Sequence, residues 1–231
     1  SSDVCSSDLT DKGQIDGIST AVDLDNCYVA GTTTSGIVTT QPGTISSSTA
    51  ASSTSESSID FDQYYGKISN CGKDENGRYS GGIAGDQTGQ EWRIMPWYNQ
   101  NWQCILRHPN AKVREELARM AIEAAQNDHI GYDQSQNRTY WDALQKSGYS
   151  PKNITIDCEA DCSNGIVANT KAVGKILNLP ALQAIDVYST GAMRAAYSNA
   201  GFQVLTDSKY LNGYDYLVPG DIILNDSQHA T

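Results

Sequence analysis

Residues 161–177 read Asp161-Cys162-Ser163-Asn164-Gly165-Ile166-Val167-Ala168-Asn169-Thr170-Lys171-Ala172-Val173-Gly174-Lys175-Ile176-Leu177. Ile166, Val167, Val173, Ile176 and Leu177 recur at helical spacing, so the stretch predicts a helix that starts near Cys162 and buries that face. Asn178 and Pro180 signal its end. A thiol is thereby placed where a polar loop meets the first turn. The positive end of the helix dipole favours a thiolate there, and N–H groups at the same end can bind a developing oxyanion. The competing reading is a small buried cysteine on a helix, and this stretch alone does not separate the two.

Downstream, a helix is expected over 190–200, ended by Gly201, then a strand at Phe202-Gln203-Val204-Leu205. Tyr216-Leu217-Val218, a Pro219-Gly220 turn and Asp221-Ile222-Ile223-Leu224 lead into another strand, followed by a polar turn over 225–228 and His229. Upstream, Asn110 can cap a helix running to about Gln126, with Val113, Leu117, Met120, Ala121 and Ala124 on one face. A shorter helix is expected over 137–146, stopped by Gly148 and Pro151. Residues 65–109 are rich in Gly and aromatics and read as short strands and turns. Trp92, Trp97 and Trp102 cluster there, either as core or as the wall of a substrate groove. Helices first and strands after make an α+β arrangement rather than an alternating βαβ one.

The chain has 231 residues and a formal net charge of −11. Such an acidic balance argues against a nucleic-acid partner, which would need a positive footprint. No run of about 18 apolar residues predicts a membrane span, and no signal peptide is visible. Residues 31–58 are almost entirely Gly, Ser, Thr and Ala, and read as a flexible linker, since they cannot bury enough apolar area to offset ordering entropy. Residues 1–30 read as the remnant of an upstream region, with one strand-like scrap at Cys27-Tyr28-Val29-Ala30. Within it, residues 1–9 resemble the translation of a sequencing adapter. All four Trp, both Phe and all but one Tyr fall after residue 58, so 59–231 is the folding domain.

Six cysteines and three histidines are present. Cys158 and Cys162 are four apart, but no second close pair completes a zinc site. A Cys71–Cys104 disulfide is open to an exported protein. His108 and His129 read as surface or hydrogen-bonded histidines.

The order thiol, helix, strand, turn, imidazole is that of papain-like cysteine hydrolases. Asp161-Cys162-Ser163, then Val218-Pro219-Gly220-Asp221-Ile222-Ile223, then His229, resembles the NlpC/P60 peptidoglycan peptidases, in the version found in phage endolysins and tail-associated lysins. That resemblance implies a papain-like NlpC/P60 fold, with helices packed on an antiparallel sheet, here C-terminally truncated and preceded by a disordered linker. It implies Cys162 as nucleophile, His229 as general base and Tyr132 as the tyrosine near the thiol. The N–H groups of Cys162 and its neighbours would form the oxyanion hole, with Asp161 and Ser163 shaping the turn. No cofactor and no metal are implied. Two departures stand out. Asn164 replaces the family's glycine, with Gly165 one place later. The polar residue that orients the histidine, and the strand that would hold it, are expected beyond Thr231.

The implied function is hydrolysis of an amide bond in the stem peptide of bacterial peptidoglycan, one involving D-Glu and a diamino acid, with a further module upstream of the linker. The enzyme would act on the cell wall, released by host lysis or carried on a phage particle. An N-acetylmuramoyl-L-alanine amidase is the rival enzyme. A non-catalytic wall-binding or phage structural module is the rival from another class.

Overall fold

The structure, a computed structural model, describes residues 59–231. The expected remnant at 1–30, its strand-like scrap and the linker at 31–58 lie outside the described residues. In chain order the elements are β1 (Lys67–Cys71), β2 (Trp92–Pro96), β3 (Cys104–Arg107), α1 (Ala111–Ala124), β4 (Ile130–Tyr132), α2 (Thr139–Lys146), β5 (Cys158–Ala160), α3 (Cys162–Ile176), α4 (Pro180–Gln183), α5 (Thr190–Asn199), β6 (Gln203–Leu205), α6 (Ser208–Leu211), β7 (Ile222–Asn225) and β8 (His229–Ala230).

The fold is mixed α and β, with helices on small sheets. A four-stranded antiparallel sheet has the order β6-β3-β7-β8, and β1 and β2 form a separate antiparallel pair. The β7–β8 ladder continues to the last residue, where Ile223 and Thr231 exchange both backbone bonds at 2.7 and 3.0 Å. Thr231 Oγ1 donates to the Ser69 carbonyl at 2.6 Å, which ties β8 to β1.

The third pair, β4 with β5, is parallel. It departs from the expected order of helices first and strands after: α2 crosses between two parallel strands, a small βαβ unit. Strands of three residues are too short to show a period of two.

Helix α3 lies in the main core, with Val167, Ala168, Ala172 and Val173 buried beside Leu106, Val113, Met120 and Leu224. Gly165 lets it approach β2: a Cβ there would stand 2.8 Å from the Trp92 ring. That close approach gives the displaced glycine of the Asp-Cys-Ser motif its physical reason.

The Pro-Gly-Asp turn is also structural. Gly220 has φ +82°, and a Cβ would fall 2.1 Å from the Arg114 carbonyl oxygen. Asp221 receives Arg107 in a two-pronged pair, Nε to Oδ1 at 2.7 Å and Nη2 to Oδ2 at 2.6 Å, and also accepts the Val218 N–H at 3.0 Å. The motif thus locks the start of β7 to β3, which fixes the register of the hairpin that ends at His229. No helix among the described residues is long and apolar enough to cross a membrane.

Candidate active site

Strand β5 delivers the chain to α3 through Asp161, an N-cap in extended conformation. Its Oδ1 accepts Ser163 N at 2.9 Å, Ser163 Oγ at 2.8 Å and Asn164 N at 2.8 Å. Its Oδ2 accepts the Nδ2 groups of Asn164 and Asn137. A fully engaged cap of this kind fixes the first turn, and with it the position of Cys162. It also consumes the Ser163 and Asn164 N–H groups expected in an oxyanion hole, leaving the N–H of Cys162 from this helix start.

The Cys162 thiol is 8% exposed and meets the backbone N–H of Ala230, the residue after His229. Helix start and β8 are therefore in contact at the sulfur. Burial, and secondarily Asp161, push the thiol up to about 11, against the N–H groups of Ala230, Ser163 and Cys162 itself. The dipole argument alone leads to an acidic thiol. Desolvation of the charged form outweighs it here.

His229 is 9% exposed on β8. Its Nε2 lies 2.7 Å from Asn70 Oδ1 on β1. The Tyr98 hydroxyl donates to the same oxygen at 3.2 Å. With Asn70 Oδ1 as acceptor, the matching tautomer has its hydrogen on Nε2 and leaves the lone pair on Nδ1. Burial lowers the imidazole to about 4, opposed by the Asp161 charge. The Trp102 ring neighbours that of His229, with centroids 6.2 Å apart and planes inclined by 32°.

Within the described residues, His229 stands on β8, paired with β7, and its side-chain partner is Asn70. No local motif marks Asn70. It lies 159 residues before the histidine, and only tertiary packing joins them.

Tyr132 lies on β4, 2% exposed. Its N–H donates to Glu91 Oε2 at 2.9 Å, and its hydroxyl accepts Gln134 Nε2 at 3.1 Å. Burial first, then the neighbouring Cys162, push the phenol well above its ordinary value. It stays a proton donor at neutral pH, with its own hydrogen uncommitted to Gln134.

The three candidate groove tryptophans separate. Trp92 is buried in the main core, edge-on to Tyr140, with Nε1 donating to Ser69 Oγ at 2.9 Å. Its ring faces an apolar cavity of about 250 Å³ bounded by α1, α3 and β7, not an open groove wall. Trp97 and Trp102 belong to a second cluster with Ile68, Ile105 and Ile223, on the His229 side of the sheet.

Cys71, Cys104 and Cys158 are buried free thiols, so the Cys71–Cys104 bridge that the sequence left open is not formed. Cys71 instead turns toward the Ala160 carbonyl, 3.9 Å away. His108 packs edge-on to Phe202, and His129 Nδ1 lies 2.6 Å from Asp157 Oδ1 at the surface. A pair of buried carboxyls, Glu91 and Glu159, underlies β4 and β5. Burial, with Glu91 and Asp133 nearby, pushes Glu159 up to about 8.

Residues 68–231, more than two thirds of the sequence, match the endolysin-like domain family. The chain belongs to that family. No curated protein and no solved structure matches it. Membership in the endolysin-like domain family points to a phage-type function in lysis of the bacterial cell wall, and to peptidoglycan as the substrate.

Proposed function

We propose that this endolysin-like domain is a cysteine hydrolase that cuts an amide bond of the peptidoglycan stem peptide. The observation carrying the proposal is the contact between Cys162 and the backbone of β8, beside an imidazole whose Nε2–H is held by Asn70.

In the resting state both groups are neutral. Burial favours the thiol over the thiolate and imidazole over imidazolium. On substrate binding, His229 Nδ1 takes the Cys162 proton as sulfur attacks the carbonyl. The imidazolium so formed is held by Asn70 and by the nearby Asp161 carboxylate, whose charge raises the basicity of His229. The N–H of Cys162 and the Tyr132 hydroxyl stabilise the oxyanion. Imidazolium returns the proton to the departing amine, leaving a thioester. Water, deprotonated by the same nitrogen, releases the acid and restores the thiol.

The test is wall clearing and product analysis with Cys162→Ala. Purified peptidoglycan should be solubilised by the unsubstituted protein with new amino termini in the stem peptide. Cys162→Ala should lose at least about 10³-fold in rate, the scale of nucleophile removal, while keeping its thermal transition. New termini released at the unsubstituted rate would refute the assignment. A lactyl carboxyl exposed on the glycan instead would indicate the amidase. Binding without any cleavage would indicate the non-catalytic module.

A further inference from the structure

Arg93 stands on β2 directly across from Asn70 in the antiparallel pairing. Directly opposed residues project from the same face, with Cβ atoms about 5 Å apart. Arg93 therefore shares the face that holds His229, Tyr98 and Trp102. The Tyr98 hydroxyl, already bonded to Asn70, lies within electrostatic range of both the Cys162 sulfur and the Arg93 guanidinium.

Arg107, Arg119 and Arg194 each meet a carboxylate, as expected where acids outnumber bases. Arg93, like Arg78, Arg114 and Arg138, forms no ion pair with a carboxylate among the described residues. Its Nη1 donates to the neutral Gln90 Oε1, and its Nε is buried with no partner. A buried N–H of a charged group without an acceptor is costly, and it is relieved when a ligand supplies one.

We propose that Arg93 binds a carboxylate of the substrate beside the scissile bond, and so selects stem peptides in which that carboxyl is free over those in which it is amidated. The inference rests on the hydrolase reading of the same site. A stem linked through a side-chain carboxyl leaves its α-carboxyl free next to the reacting carbonyl. The planar fork of arginine matches a carboxylate in two-pronged fashion, and charge-assisted bonds are about twice as strong as those to a neutral amide.

The test is a binding measurement that needs no turnover. Titration calorimetry on Cys162→Ala would use two soluble tetrapeptides, one with a free α-carboxyl on the γ-linked glutamyl residue and one with the α-carboxamide. The carboxylate peptide should bind at least about 10-fold tighter. Adding Arg93→Gln should bring the two affinities to within about 2-fold. Arg93→Lys retains the charge without the fork and should fall between, which keeps the test decisive should the Gln variant fold poorly. Equal affinity for both peptides in Cys162→Ala, or a preference unchanged in the Arg93 variants, would overturn the proposal. Neither result depends on whether Cys162 is the nucleophile, which the clearing assay decides separately.

Discussion

Burial, more than the helix dipole, sets the protonation of Cys162 and of His229. An exposed thiol at a helix start would drift toward thiolate, whereas this one is 8% exposed and sits at about 11. Alkylation by iodoacetamide at pH 7.5 should therefore be slower than that of free cysteine. Mass mapping should still find Cys162 modified first among the four described thiols, since Cys71 is pushed well up, Cys158 stands at about 12, and Cys104 at about 11 with no exposure at all. The same burial predicts the pH profile. With His229 at about 4, the acid limb of kcat/KM should lie well below 6.5. A limb near 6.5 would mean that the free enzyme holds the imidazole in a wetter environment. Asn70→Ala should lower kcat more than it raises KM, by about 10- to 100-fold. Asn70→Asp should recover part of the loss, because an acceptor still faces Nε2–H.

Between elements, one glycine and one carboxylate place the thiol. Gly165→Ala puts a methyl 2.8 Å from the buried Trp92 ring, and either α3 or the indole must shift. A cost of about 1–3 kcal/mol in chemical denaturation is expected. Asp161→Ala removes five acceptor contacts at once, so its cost should exceed the ~1 kcal/mol typical of a lost N-cap. The long elements were legible in sequence because packing imposes a period on them. Helix α1 runs Ala111–Ala124 with Asn110 capping Lys112 N, and α3 and α5 begin where their patterns begin. The shorter elements were not. Ile130–Tyr132 and Cys158–Ala160 gave no period, so the parallel pair that carries Tyr132 and feeds α3 went unread. Asn70 went unread for a different cause: an asparagine in Lys67-Ile68-Ser69-Asn70-Cys71 has no local signature, and its role exists only once β1 lies against β8.

Across the whole domain, two buried titrating groups oppose each other in pH. Glu159 is held at about 8, so the folded state keeps a proton that the unfolded chain gives up near 4.5. Its contribution to stability is full below that value and is lost as pH rises toward 8. His229 acts in the reverse direction. The unfolded chain gains a proton near 6.5 while the folded one waits until about 4, so stability falls as pH drops through that window. Glu159→Gln should accordingly raise the melting temperature at pH 8 and leave it nearly unchanged at pH 5, a difference that calorimetry at the two values reads directly. Glu159 stands on β5, the strand that leads into α3, and Glu91 accepts the Tyr132 N–H.

The measurement closest to the central claim is intact-mass analysis, with peptide mapping, of the protein mixed with peptidoglycan and quenched in acid. The account predicts a transient acyl adduct on Cys162, absent from Cys162→Ala and accumulating in Asn70→Ala if deacylation slows. Full solubilisation of the wall by Cys162→Ala, with no adduct on the unsubstituted protein, would contradict it.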